Sequence, residues 1–300
     1  MTRIPTPRSP LHTAARSNAL STPANHAAHL YARAFTWWTI LRIALAERLV
    51  YRGDFALGTL MRFLPIVTQI FLWYAVFQAR GNDSVGGYHY EDFVAYFLLT
   101  MVARAFSSMP GLASGIAAQV RTGEIKKYLV QPVDLLGFLL LSRVAHKLAY
   151  YTVAILPFAL VFFLCRDYFP GWPSATALAA GTLALVLGFL LGFFLEACMG
   201  LVGFWWLEVS SLLFVYMLFS FFLSGHMFPL NMLPQPWRTI VELSPLMYLA
   251  YFPAAVLLGK IQGLDLLIGL VMEVQWLLVF ILLSRVLFER GTRRYSAFGG

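Results

Sequence analysis

Six stretches of this chain are apolar for about the length of a membrane crossing, and that leaves few folds open. They are Phe55–Ala79, Phe93–Ala118, Val144–Cys165, Ala175–Ala197, Val209–Gly225 and Asp265–Phe288. A crossing helix needs about 20 mostly apolar residues. Backbone groups in lipid must all be satisfied internally, so runs of this length read as helices. The charged fraction agrees: 12% of residues are charged and 60% hydrophobic, whereas a water-soluble domain keeps about 25% charged. The expected fold is an all-α polytopic membrane protein with six transmembrane helices. The same numbers exclude disorder and nucleic-acid binding as the main business of the chain. The two cysteines, Cys165 and Cys198, form neither a disulfide framework nor a metal-ligand pattern.

The basic residues sort by topology. Seven arginines precede the first run, and Arg121, Lys126, Lys127, Arg143 and Lys147 lie around the connection between the second and third. Arg285, Arg290, Arg293 and Arg294 fall at or after the end of the last run, while the opposite side holds Arg80, Arg166, Arg238 and Lys260. By the positive-inside rule this places both termini in the cytosol. The net charge of +8 is therefore read as membrane topology and not as a nucleic-acid surface.

Four segments flank or interrupt this core. Residues 1–29, rich in Pro, Ser, Thr, Ala and Asn, are expected to form a disordered tail, and the same composition also serves an organellar transit peptide. Residues 30–53 mix Trp, Leu and Arg, with Trp38, Leu41, Leu45 and Leu49 at helical spacing. That reads as a helix lying along the membrane surface, with a soluble helix under a loop as the alternative. The permease core is expected over 54–290, with a cytosolic tail at 291–300. Within that core, 226–260 is too apolar for a loop, yet Pro229, Pro234, Pro236, Pro245 and Pro253 break it. Prolines at that density forbid one continuous helix. Two half-helices, Trp237–Leu243 and Leu246–Leu258, are predicted to dip into the outer leaflet and return.

Catalytic chemistry is hard to find. The chain has no H-E-x-x-H, G-x-S-x-G or G-x-x-x-x-G-K-[ST], so it has no motif with which to cradle nucleotide phosphates. The chain is expected to be no enzyme by itself. Three charges fall inside the runs, Arg62, Arg104 and Glu273, and an intramembrane charge is costly enough to count as a functional hypothesis. Arg62 is near enough to an end to snorkel. Arg104 needs a carboxylate, a polar cavity or a carbonyl, and Glu273 is its candidate partner by depth. Glu196 and Glu208 read as interfacial. Between the second and third runs, RTGEIKKYLVQPVD forms a charged elbow, with turns at Gly123–Glu124 and Pro132. An elbow of that kind, held at fixed depth, suits a lever that takes force from a cytosolic motor, with an ordinary positive-inside loop as the alternative.

That elbow sequence is followed about 90 residues later by LSGHMFPLNMLPQPW and then ELSPLMYLAYFPAAVLLGK. Together they resemble bacterial ATP-binding-cassette permeases of the type-2 exporter branch, in particular a six-helix group, over roughly residues 30–290. The resemblance implies two paired membrane subunits, identical or paralogous, above a pair of cytosolic ATPases that bind ATP and magnesium. No cofactor, catalytic residue or metal is expected in the chain itself, and membrane lipid is expected as its other partner. The resemblance places Arg121, Gly123, Glu124, Lys126, Lys127, Pro132 and Asp134 in the segment that couples to the ATPase. It places Gly225, Pro229, Pro234, Pro236, Pro245 and Pro253 in an outer gate, and the protein in a bacterial inner membrane. The alternative is an ATPase-independent transporter or channel that uses Arg104 and Glu273.

Overall fold

The computed structural model describes residues 23–49, 52–81, 84–131, 133–169, 171–206 and 208–295. Among them eleven α-helices form, and no strand. In chain order they are α1 (Pro23–Leu49), α2 (Arg52–Ala79), α3 (Tyr90–Ser107), α4 (Leu112–Thr122), α5 (Lys126–Leu129) and α6 (Leu135–Leu164). Then come α7 (Ala175–Leu201), α8 (Ser210–Leu223), α9 (Trp237–Glu242), α10 (Tyr251–Leu257) and α11 (Gly263–Arg294). Four units are long and apolar enough to cross a membrane: Tyr90–Thr122, Leu135–Leu164, Ala175–Phe204 and Gly263–Arg294. Two shorter apolar helical stretches, Phe63–Ala79 and Ser210–Leu223, accompany them.

The spine of the molecule is α7. It carries small residues one or two turns apart, Gly181, Ala184, Gly188, Gly192 and Gly200, and Gly203 follows in the 3-10 turn just after it. Without a hydrophobic drive between helices in lipid, such stripes let backbones approach and pack. Here they do: a Cβ on Gly192 would fall 2.2 Å from the Ser107 carbonyl oxygen, and one on Gly188 2.9 Å from that of Tyr248. A Cβ on Gly200 would meet the Ala113 carbonyl oxygen at 2.7 Å. The stripe therefore seats, in order, the segment around Tyr248, the end of α3 and the length of α4. On its other flank α7 packs against α11. Two buried clusters result. One gathers Phe93, Tyr96, Phe97, Tyr248 and Phe252; the other gathers Leu112, Ile116, Ile125, Leu136, Phe193 and Leu201.

Several expectations change in detail. The second run is not one helix but two, α3 and α4, parted at Ser108–Gly111. Pro110 has no N–H to offer the ladder, and Gly111 takes φ +72°, a left-handed conformation that glycine adopts at little cost. The third run begins at Leu135, well before Val144, so Arg143 and Lys147 lie in a helix and not in a loop. The N-terminal helix starts at Pro23 instead of Leu30, and it packs along α6. Trp38 is 61% exposed, while Trp37 is the tryptophan turned toward α6, close to Gly137. The second half-helix divides into a 3-10 turn, Pro245–Leu249, and α10, with Ala250 at a non-helical φ of −149° between them. The tail expected over 1–29 falls mostly outside the described residues, and its last residues belong to α1.

Candidate functional site

The break in the second span is held from three sides. Where a helix ends, its last carbonyls and the next helix's first N–H groups lose their partners. At the end of α3, Lys147 Nζ donates to the Ala105 carbonyl and, at 2.7 Å, to that of Ser108. Arg143 donates to the Pro110 carbonyl at 2.8 Å, and Ser107 Oγ to that of Leu249 at 2.7 Å. Ahead of α4, Glu196 Oε1 accepts from Met109 N at 3.2 Å. Cations thus sit at the negative end of α3 and a carboxylate near the positive end of α4, as the helix dipoles favour. Glu196, expected at an interface, instead occupies a position on α7 facing the break.

A cavity of about 470 Å³ opens beside the break, walled by α2, α3, α4, α7 and α8. Arg104 reaches into it and donates to Ser220 Oγ at 3.2 Å. Glu196, Tyr216 and His226 add polar groups, and Met101, Met109 and Met217 line it with thioethers. On α8 the cavity takes Leu213, Tyr216, Met217 and Ser220, neighbours on one helical face. Sequence reasoning singled out Arg104 but missed Glu196 and the α8 face. The usable signal for the break was the Pro110–Gly111 pair, a strong local punctuation.

The expected pairing of Arg104 with Glu273 does not form. Glu273 is fully buried and neither carboxylate oxygen has a hydrogen-bond partner. At 1.5 Å per residue Arg104 lies about 21 Å along α3 and Glu273 about 15 Å along α11. Moreover α11 packs chiefly on α7, and Glu273 sits beside Gly188 of that helix. The side chain of Arg62, the third intramembrane charge, lies outside the described residues.

At the far end of α4 the chain turns through the elbow. Gly123 takes φ +80° and ends α4; Ile125 is wholly buried, and its N–H donates to the Gln119 carbonyl at 3.0 Å. The short α5 then exposes Lys126 and Lys127, the latter 3.3 Å from Glu124. Val130 is 82% exposed at its tip. Arg121 pairs with Glu208 at 3.4 Å, both well exposed. Pro132 lies outside the described residues. Asp134 caps α6, accepting from Gly137 N at 2.7 Å, and forms a two-pronged ion pair with Arg285 of α11, one prong at 3.0 Å. The elbow is therefore anchored at one end to α4 and at the other to both α6 and α11.

Partial burial pushes the Asp134 carboxyl up, but its bonds to Arg285 and to the Gly137 N–H outweigh that and hold it below the usual carboxylate value. A lowered folded value means the pair contributes stability above the unfolded carboxylate pKa, near 4. That contribution is lost as pH falls through the folded value. Acid titration of thermal stability should show this loss in the native chain and not in Asp134→Asn, which keeps the cap but not the charge.

The outer-gate candidates occupy one compact region. Gly225 takes φ +78°, and a Cβ there would lie 2.7 Å from that of Tyr251. Its carbonyl accepts from the buried Tyr96 hydroxyl. Pro229 and Pro234 flank a 3-10 turn, Leu230–Met232, and Pro236 caps α9. Pro245 opens the 3-10 turn that follows, and Pro253 lies within α10.

Long apolar helices around a broken span with a polar cavity define the class: a multi-pass helical membrane protein whose polar groups gather at a discontinuous helix. The family model described as "ABC-2 family transporter protein" matches residues 63–299, and the chain belongs to that family. It is accordingly a membrane permease of an ATP-binding-cassette transporter, a transport subunit associated with an ATP-binding-cassette partner. The matched range begins within α2, so α1 lies outside it. A comparison with curated proteins finds no match.

Proposed function

We propose that this chain is the membrane half of an exporter, moved by a separate cytosolic ATPase through the elbow between α4 and α6. The observation that carries this is the elbow's double character. Ile125 is buried in the core while Lys126, Lys127 and Val130 are offered to solvent, and Asp134 ties the same segment to Arg285. Closure of the ATPase performs work only if it favours one membrane conformation over another. A segment locked to α4, α6 and α11 feels that closure and passes it on as rigid-body movement.

In this reading six crossings are α2, α3 with α4, α6, α7, α8 and α11. The helix α8, 14 residues long, reaches about 21 Å and crosses only with the help of its flanking turns. The 225–260 region forms a gate in the outer leaflet. The termini are cytosolic in a bacterial inner membrane; Arg143 and Lys147 no longer count as loop charges, yet the bias toward that side persists. ATP and magnesium bind the partner, and a second permease copy or a paralogue completes the pathway.

The test is replacement of Glu124 or Asp134 in the assembled transporter. ATP hydrolysis is expected to continue while export falls at least tenfold, with assembly intact by size-exclusion chromatography. Export at the native rate by both variants contradicts the coupling assignment.

A further inference from the structure

We propose that the cavity beside the break binds a zwitterionic amphiphile, its anionic group on Arg104 and its cationic group on Glu196. The cargo role rests on the permease reading; occupancy of the cavity does not. The volume of about 470 Å³ lies in the usual range for small-molecule sites, room for a head group and a short length of chain but not for a polymer. Among the described residues its charged lining is one guanidinium and one carboxylate, with the His226 imidazole also in the wall. The cations next to it, Lys147 and Arg143, are engaged with carbonyls of the break.

The two lining charges of opposite sign decide the ligand class. A purely anionic head meets Arg104 but is repelled by Glu196, and a purely cationic head meets the reverse. A head carrying both charges satisfies both, which is how electrostatic complementarity sets specificity. Polar groups already in place assist: Ser220 Oγ adjoins the guanidinium at 3.2 Å, and Glu196 Oε1 is oriented by Met109 N at 3.2 Å. Around them Met101, Met109, Met217 and Leu213 give a soft apolar surface that adapts to an alkyl chain. On one side the cavity is walled by α8, most of whose other residues are exposed, and in this proposal the alkyl chain leaves past that helix.

The probes are dodecylphosphocholine, dodecyl phosphate and dodecyltrimethylammonium, all below their micellar concentrations. Each is titrated against the full-length protein in neutral maltoside micelles, with binding read from the shift in thermal unfolding. Dodecylphosphocholine is expected to bind about tenfold tighter than either probe carrying charge of one sign only, the low end of what a close charge pair contributes across an interface. Glu196→Gln keeps an acceptor for Met109 N and should weaken dodecylphosphocholine while strengthening dodecyl phosphate. Arg104→Gln should weaken dodecylphosphocholine and dodecyl phosphate while strengthening dodecyltrimethylammonium. If Arg104→Gln fails to fold, the opposite signs at Glu196→Gln carry the test alone. Equal affinity for the three probes, or a shift of one sign for all of them in Glu196→Gln, overturns the proposal. Free phosphocholine, lacking the chain, should bind at least tenfold more weakly; equal binding overturns the amphiphile assignment and points to a water-soluble zwitterion. Each of these failures leaves ATPase-driven transport intact, so the two readings fail separately.

Discussion

Lys147→Met is expected to destabilise the protein by about 2 kcal/mol or more, the scale of two buried carbonyls left without partners. Lys147 is 8% exposed and its ammonium serves the carbonyls of Ala105 and Ser108. In lipid no water replaces it. Removing a buried charge recovers some desolvation energy, which keeps the expected loss near the lower end. Arg143→Gln, at a more exposed position where the guanidinium donates to the Pro110 carbonyl, should cost less, because water can reach that site. Reversible unfolding in mixed micelles measures both. Equal stability of Lys147→Met and the native chain would show that the Ala105 and Ser108 carbonyls do not depend on this ammonium.

Gly192→Val carries the other large effect, about 3 kcal/mol or more, because overpacking a tight contact forces backbone shifts. Even alanine places a Cβ 2.2 Å from the Ser107 carbonyl oxygen, an atom that cannot swing aside. Gly115→Ala is the control: nothing lies within 4 Å of its Cβ, and alanine in a helix interior is neutral or stabilising. The same unfolding assay separates the two. Because Gly192 seats the end of α3 beside the cavity, its variants should also lose export in proportion to the shift of that end. Gly192→Val with native stability would show that α3 and α7 do not approach as described.

The parts of this fold legible in the sequence are those governed by runs and single-residue turn chemistry. Long apolar stretches marked where helices lie, and Gly123 and the prolines from Pro229 to Pro245 marked where the chain turns. What was hidden depends on neighbours distant in sequence. Arg143 and Lys147 looked like loop charges because nothing local says that carbonyls of a broken helix lie opposite them. Glu196 looked interfacial because its partner, Met109 N, is 87 residues away. Arg104 was recognised as needing a polar setting, and of the settings expected it lies in a polar cavity, while Glu273, suggested by depth, is not its partner. The Gly188 and Gly192 pair on α7 was a readable signal for close helix packing, although spacing alone does not say which backbone comes near.

The central claim is that this chain moves its cargo only when a separate ATPase drives it. Sealed vesicles reconstituted with the chain alone, or with its cassette ATPase, and loaded with a fluorescent zwitterionic amphiphile test it most directly. Movement against a gradient is predicted only with the ATPase and hydrolysable ATP together, and it should vanish in Glu124 and Asp134 variants that still hydrolyse ATP. Uphill movement in vesicles holding only this chain would contradict the account.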